Sequence, residues 1–227
     1  MKKIVLSIII LLICNSKAFT HVEHYEKLDF LEYELFRNNN SIGFHKYNFI
    51  RKNGILTIKS EVNFKITKLG VDLYKYSANS EEVYKDNKFL RFSSKTNQNK
   101  KEKYVNISVN ESDKNLIIDG SSYKGKGDKD TIVGTWWNHE IVKAKAQISA
   151  ISGRIIEQTV TFVGKEKVII NGITYNTLRF NFKSSDETLP ENKKLNTDIW
   201  YEEKSFTWIK AAFDKRGYWE YRIKIKK

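Results

Sequence analysis

The stretch "ILTIKSEVNFKIT", residues 55–67, alternates between dry and wet side chains. Leu56, Ile58, Val62, Phe64 and Ile66 are apolar, and Lys59, Glu61, Asn63 and Lys65 stand between them. A period of two is the side-chain period of a β-strand with one buried face. At about 3.3 Å per residue the stretch would reach roughly 40 Å, far beyond the usual strand of five or six residues. A strand that long must coil or tilt around a core.

Similar segments fill the chain: "DFLEYELFR", "SIGFHKYNFIR", "VDLYKYSA", "KFLRFSSKT", "KYVNISV", "NLIID", "RIIEQTVTFVG", "EKVII", "ITYNTLRFNF", "TDIWYEE", "SFTWIKAAF" and "YWEYRIKIK". Turn chemistry separates them in "NNN", "KNG", "KLG", "VING" and "DKRG". About a dozen antiparallel strands in chain order make a meander. The one helical candidate is "WWNHEIVKAKAQISAIS", where Trp137, Ile141, Ala144 and Ile148 recur at spacings of three and four. One short helix cannot cover so many strands, so the sheet must fold onto itself. The predicted fold is all-β: a long-stranded antiparallel meander closed or half-open as a barrel, with one short helix.

A transmembrane barrel would turn its apolar residues outward. A face carrying Lys59, Glu61 and Lys65 cannot meet lipid, no aromatic girdle is evident, and the chain ends in "KIKIKK". The sheet is therefore read as apolar inside and not membrane-spanning. With 12 Tyr, 13 Phe and 5 Trp, its interior is either a ligand cavity or a core filled by rings. The pattern leaves both open.

Residues 1–18 read as an export signal: Lys2 and Lys3, an apolar run from Ile4 to Ile13, and small residues ending at Ala18. The run is too short to span a bilayer. Cys14, the single cysteine, lies inside it behind the bulky Ile13, so lipid anchoring is not expected and the remaining chain carries no thiol chemistry. Residues 19–227 form one domain without a linker. Loss of Lys2, Lys3 and Lys17 would lower the net charge from +13 to +10. An anionic envelope component would suit that charge, but only seven of the 40 basic residues are Arg, which makes nucleic acid a poor partner.

Motifs for chemistry are sparse. Cleavage after Ala18 would leave His21 third in the chain, where the free amine, two amides and the imidazole can surround Cu(II) or Ni(II). His139-Glu140 is read as a cap or surface pair rather than an acid–base couple, and His45 as a strand histidine in a partly buried hydrogen bond. "YKGKGDKDTIVG" lacks the setting of a nucleotide loop and is read as a surface loop. No catalytic residue and no cofactor is assigned.

The landmarks "SIGFHKYNF", "VDLYKYSANSEEVYKDNKFLRFSSKT", "TWWN", "ISGRIIEQTVTFVGKEKVIINGITYNTLRFNF" and "DIWYEEKSFTWIKAAF" resemble a family of exported proteobacterial proteins of unknown function. Asp86-Asn87 and Glu202 depart from its pattern, where Asp-Gly and an aspartate are usual. Such proteins look like the incomplete barrels of periplasmic lipoprotein carriers. The resemblance implies a lipid-binding sheet and transfers no catalytic residue.

Parity sorts the aromatic residues near the C-terminus. Ile199 and Tyr201 share the apolar side, as do Trp219, Tyr221, Ile223 and Ile225, whereas Trp200 lies outward and the face of Trp208 is ambiguous. The candidate ligand-binding residues are Phe64, Trp136, Trp137, Tyr201, Trp219 and Tyr221. The expected function is a periplasmic or secreted, non-enzymatic protein that holds a lipid or acyl chain inside the curved sheet. The alternatives are a filled-core interaction protein of the cell envelope and a hydrolase of an envelope polymer.

Overall fold

The protein is described by a computed structural model covering residues 25–227. The export segment, Cys14, His21 and His24 lie outside the described residues. Fifteen strands follow one another: β1 (Phe30–Arg37), β2 (Asn40–Lys52), β3 (Ile55–Lys68), β4 (Val71–Lys85), β5 (Lys88–Gln98), β6 (Lys101–Val109), β7 (Leu116–Gly120), β8 (Lys124–Gly127), β9 (Ile132–Val133), β10 (Ala146–Ile148), β11 (Ile155–Ile170), β12 (Ile173–Ser184), β13 (Asn196–Glu202), β14 (Trp208–Asp214) and β15 (Tyr218–Lys226). They make one sheet in the order β8-β7-β6-β5-β4-β3-β2-β1-β15-β14-β13-β12-β11-β10-β9. Its pairs are antiparallel except β9 with β10.

This order explains the overall shape. β1 and β15 pair at the middle of the sheet, so the chain walks from the middle to the β8 edge and returns from the β9 edge. Asp128–Thr131 alone connects those edges, and the five steps from Gly127 to Ile132 reach no more than about 18 Å. The sheet must therefore roll until its edges nearly meet. They do not pair. Instead β9 and β10 tuck inside the roll, where Val133 and Ile148 pack on Phe92, Val105, Ile107, Leu116 and Ile118 of β5–β7. Ser94 Oγ donates to Ala150 O at 2.6 Å and Ser122 N to Ser152 O at 2.9 Å across this overlap. A Cβ on Gly120 would meet Ser152 O at 2.6 Å and Gly153 Cα at 2.8 Å, so the close approach requires glycine. Of the two expected forms, the half-open one is present.

Two expectations need correction. The helix does not extend over residues 136–152: only His139–Lys143 winds, as a 3-10 turn capped by Asn138 Oδ1, and Ala146–Ile148 is strand β10. Trp137, Ile141, Ala144 and Ile148 are all buried as their spacing implied. A turn followed by a strand buries the same four residues, because Gln147 and Ile148 pair with Ile132 and Val133 on one side and with Ile156 and Ile155 on the other. "YKGKGDKDTIVG" is not simply a surface loop, because it supplies both edge strands, β8 and β9.

Six hairpins turn on two residues with positive φ at both, the conformation that matches strand twist and favours Asn, Asp and Gly. Five of them begin on Asn38, Asn53, Asp86, Asn99 or Asn171. The sixth, between β3 and β4, begins on Leu69 at φ 51°.

Outward-facing Trp200 is buried all the same. Glu166, Val168 and Ile169 of β11 come over the outer face of β13–β15, and Glu166 accepts a hydrogen bond from Trp200 Nε1. Arg179 and Lys210 each lie 4.9 Å from the indole centroid. The strongly curved β11, with its register shift between Phe162 and Gly164, provides this outer cover.

Candidate functional site

The inner face is lined with rings for most of its length. Trp208, fully buried, stacks on Tyr33 with centroids 4.0 Å apart and meets Trp136 at 5.4 Å and Tyr221 at 5.6 Å. Its ambiguous face is thus the inner one. Phe64 stacks on Tyr76 at 4.7 Å and meets Trp219 edge-on at 5.4 Å. Tyr201 is fully buried and donates its hydroxyl to Trp136 O at 2.9 Å. Trp137 donates Nε1 to Glu82 Oε2 at 2.9 Å. All six candidate rings share the inner face, and four of them are occupied with packing or hydrogen bonds to the core. Trp136 and Tyr221 border a small internal cavity of about 170 Å³.

That cavity has a simple origin. Ser60, Ser80 and Ser94 are cross-strand neighbours on β3, β4 and β5, and three small side chains leave the middle of the roll unfilled. His45 borders it, with Nε2 2.9 Å from Ser60 Oγ, as its position on the strand implied. Burial pushes the imidazole down to about 3, so His45 is neutral at physiological pH. At 170 Å³ the cavity falls below the 300–1,000 Å³ typical of ligand pockets. That volume is too small to enclose a long acyl chain.

A larger cleft opens where the roll fails to close. It measures about 1,000 Å³ and runs between the ends of β4–β7 and the inner edge strand β9. Its walls are Phe89, Leu90, Val109, Leu116, Ile132 and Val133; Lys88, Lys114 and Lys129 stand at its rim with Glu111. None of these three lysines has an ion-pair partner among the described residues. Glu82 lies at its base, 3% exposed. Its carboxylate accepts from Tyr84 Oη at 2.5 Å, Trp137 Nε1 at 2.9 Å and Thr135 Oγ1 at 3.3 Å. Burial raises its pKa above the ordinary 4.5 and the three donors offset part of that rise.

Native Glu82 therefore holds its proton more tightly than unfolded Glu82, and stability falls as pH rises from 4.5 toward the folded value. Glu82→Gln retains the shape and cannot ionise. The expected outcome is a wild-type melting temperature that drops relative to the Gln variant over this interval. Thermal unfolding of both proteins at a series of pH values checks it.

A third depression, about 580 Å³, surrounds Trp200 on the outer face. The two cations beside the indole are already paired. Arg179 pairs with Asp198 at 2.6 Å, Lys210 with Glu220 at 2.6 Å, and both cations face the indole. Lys167 and Asp214 also line this groove, and its charged, largely ion-paired walls set it apart from the apolar cleft.

The surface reading of His139 needs correction: it is 5% exposed, and the cap of the turn is Asn138. Its Nδ1 is 2.7 Å from Tyr25 Oη, its ring stacks on Phe206 at 4.6 Å, and Nε2 lies 3.3 Å from Glu140 Oε1. Among the described residues no group of three or more His, Cys, Asp or Glu side chains converges on a metal site, and no helix is long and apolar enough to cross a membrane. The cleft walls escaped the sequence reading because β9 is only two residues long and carries no period.

A single rolled sheet with an unpaired seam places the protein among barrel-like β domains. The chain belongs to the family described as Domain of unknown function (DUF6134), whose model matches residues 33–224. No curated protein matches it. Among solved structures it is similar to a beta-barrel-like protein of Domain of Unknown Function DUF1849 from Brucella abortus, with a TM-score of 0.63 and 11% identity. The match covers 88% of this chain and 97% of that one. At that identity the likeness concerns the fold.

Proposed function

We propose that the protein is a non-catalytic, periplasmic or secreted binding protein for an anionic single-chain amphiphile, held in the seam cleft. The carrying observation is the cleft itself: apolar walls and three unpaired lysines around a volume at the upper end of the ligand-pocket range. An acyl chain would lie along Phe89, Leu90, Leu116 and Val133, and a carboxylate or phosphate would meet Lys88, Lys114 and Lys129. Glu82 sits at the inner end, where its carboxyl group is already taken up by Tyr84, Trp137 and Thr135 and leaves no donor for a headgroup. None of the six inner rings lines this cleft; Trp137 reaches it only through its hydrogen bond to Glu82. Export is supported by the pattern of residues 1–18.

Titration with a fluorescent fatty acid tests the proposal. One site per chain is expected, displaced by unlabelled fatty acid and not by the matching alcohol at equal concentration. Leu90 is 40% exposed, so Leu90→Asp is tolerated by the fold while placing a charge on the apolar wall. It is expected to weaken binding about tenfold, or roughly 1.4 kcal/mol. Unchanged binding in Leu90→Asp would remove the cleft from consideration.

A further inference from the structure

The β3–β4 hairpin stands apart from the roll. The last rung of β3 with β2 is Phe64 with Gly43, and the last of β4 with β5 is Tyr76 with Gln98. Asn99 closes that side, its Oδ1 accepting from Lys75 N and its Nδ2 donating to Leu73 O. From there to the turn, the hairpin pairs only with itself, projecting roughly 15 Å at 3.3 Å per residue. Its tip is apolar and open: Leu69 is 94% exposed, Val71 62% and Leu73 54%.

Leu69 is also the wrong residue for its turn. The other five two-residue turns place Asn or Asp at this position, and Leu69 adopts φ 51° without a side chain suited to it. A bulky apolar residue kept in an unfavourable conformation, at the most exposed point of the hairpin, suggests a role outside the fold. Lys65, Lys68 and Lys75 flank it. Asp72, the one acid of the projecting part, is held by Thr67 at 2.8 Å, by Lys75 at 3.1 Å and more loosely by Lys65 at 3.9 Å, which leaves Lys68 as the collar lysine without an ion pair among the described residues. The tip is thus a small apolar wedge inside a cationic collar.

We propose that this hairpin docks the protein on an anionic lipid surface, with Leu69, Val71 and Leu73 entering the headgroup boundary and the lysines meeting lipid phosphates. Three side chains fall far short of the roughly 800 Å² per partner of a stable protein interface, whereas a few inserted apolar residues with lysines bind a bilayer reversibly. The β3–β4 and β4–β5 turns lie at opposite ends of β4, and the cleft opens near the latter. Docking therefore leaves the cleft facing the aqueous side. The inference does not depend on what occupies the cleft.

Cosedimentation of the full chain with vesicles tests it, using phosphatidylcholine alone and phosphatidylcholine mixed with an equal amount of phosphatidylglycerol. Binding is expected on the anionic vesicles and falls with added salt. Leu69→Asn suits the turn, so this variant melts no lower than wild type and yet binds about tenfold more weakly. Lys68→Gln is expected to lose about fivefold on anionic vesicles and nothing on neutral ones. Residues 4–13 are present in each protein compared, so they do not contribute to differences between variants on the same vesicles. Equal binding to neutral vesicles, or anionic binding that Leu69→Asn leaves intact, would overturn the proposal.

Discussion

Trp208→Ala is expected to lower stability by about 3–5 kcal/mol, a fall in melting temperature of roughly 10 °C for a domain of this size. The ring is fully buried and stands among Tyr33, Tyr47, Trp136 and Tyr221, so its removal opens a void that rings on four sides cannot fill. Phenylalanine provides a sharper test. Trp208 Nε1 has no hydrogen-bond partner among the described residues, so Trp208→Phe loses volume and no bond. Trp137 Nε1 donates to Glu82, and Trp137→Phe would leave that buried carboxylate one donor short. The second variant is expected to be worse than the first by about 1–3 kcal/mol. Chemical denaturation of the three variants checks the order.

Gly43→Ala is expected to cost about 3 kcal/mol, at the upper end for overpacking. A Cβ there would lie 2.0 Å from Asn63 O and 2.6 Å from Phe64 Cα. Both are backbone atoms of the neighbouring strand, so no side-chain rotation relieves the clash and β2 must part from β3. That junction is also where the β3–β4 hairpin leaves the roll, with Gly43 facing the last shared rung at Phe64. A substitution at exposed Asn48 in the same strand is expected to stay within about 0.5 kcal/mol. Urea unfolding of both variants reads the difference.

The long strands were legible because one face is wet along their whole length. β3 keeps the alternation of Leu56, Ile58, Val62 and Phe64, and parity placed Tyr201, Trp219 and Tyr221 inside correctly. "RIIEQTVTFVG" and "EKVII" read as two segments, yet they form one strand, β11, with a register shift between Phe162 and Gly164. The second half of β4, "NSEEVYK", carried no visible period. In it Ser80 faces a cavity and Glu82 is an inward polar residue satisfied by Tyr84, Thr135 and Trp137. The seam was invisible for a related reason. Short strands such as β9 and β10 are fixed by tertiary contacts, β10 by pairing with β11, β9 by parallel pairing with β10, and both by packing on β5–β7, not by local pattern. Trp200 shows the limit of parity: alternation placed it outside, but only the path of β11 covers it.

Native mass spectrometry of the protein purified without detergent, then incubated with a saturated fatty acid, addresses the seam cleft most directly. One acyl adduct per chain is predicted, retained in Trp208→Phe and lost when Lys88, Lys114 and Lys129 are all changed to Glu. A protein that stays empty, before and after incubation, would contradict a ligand-holding role for the cleft.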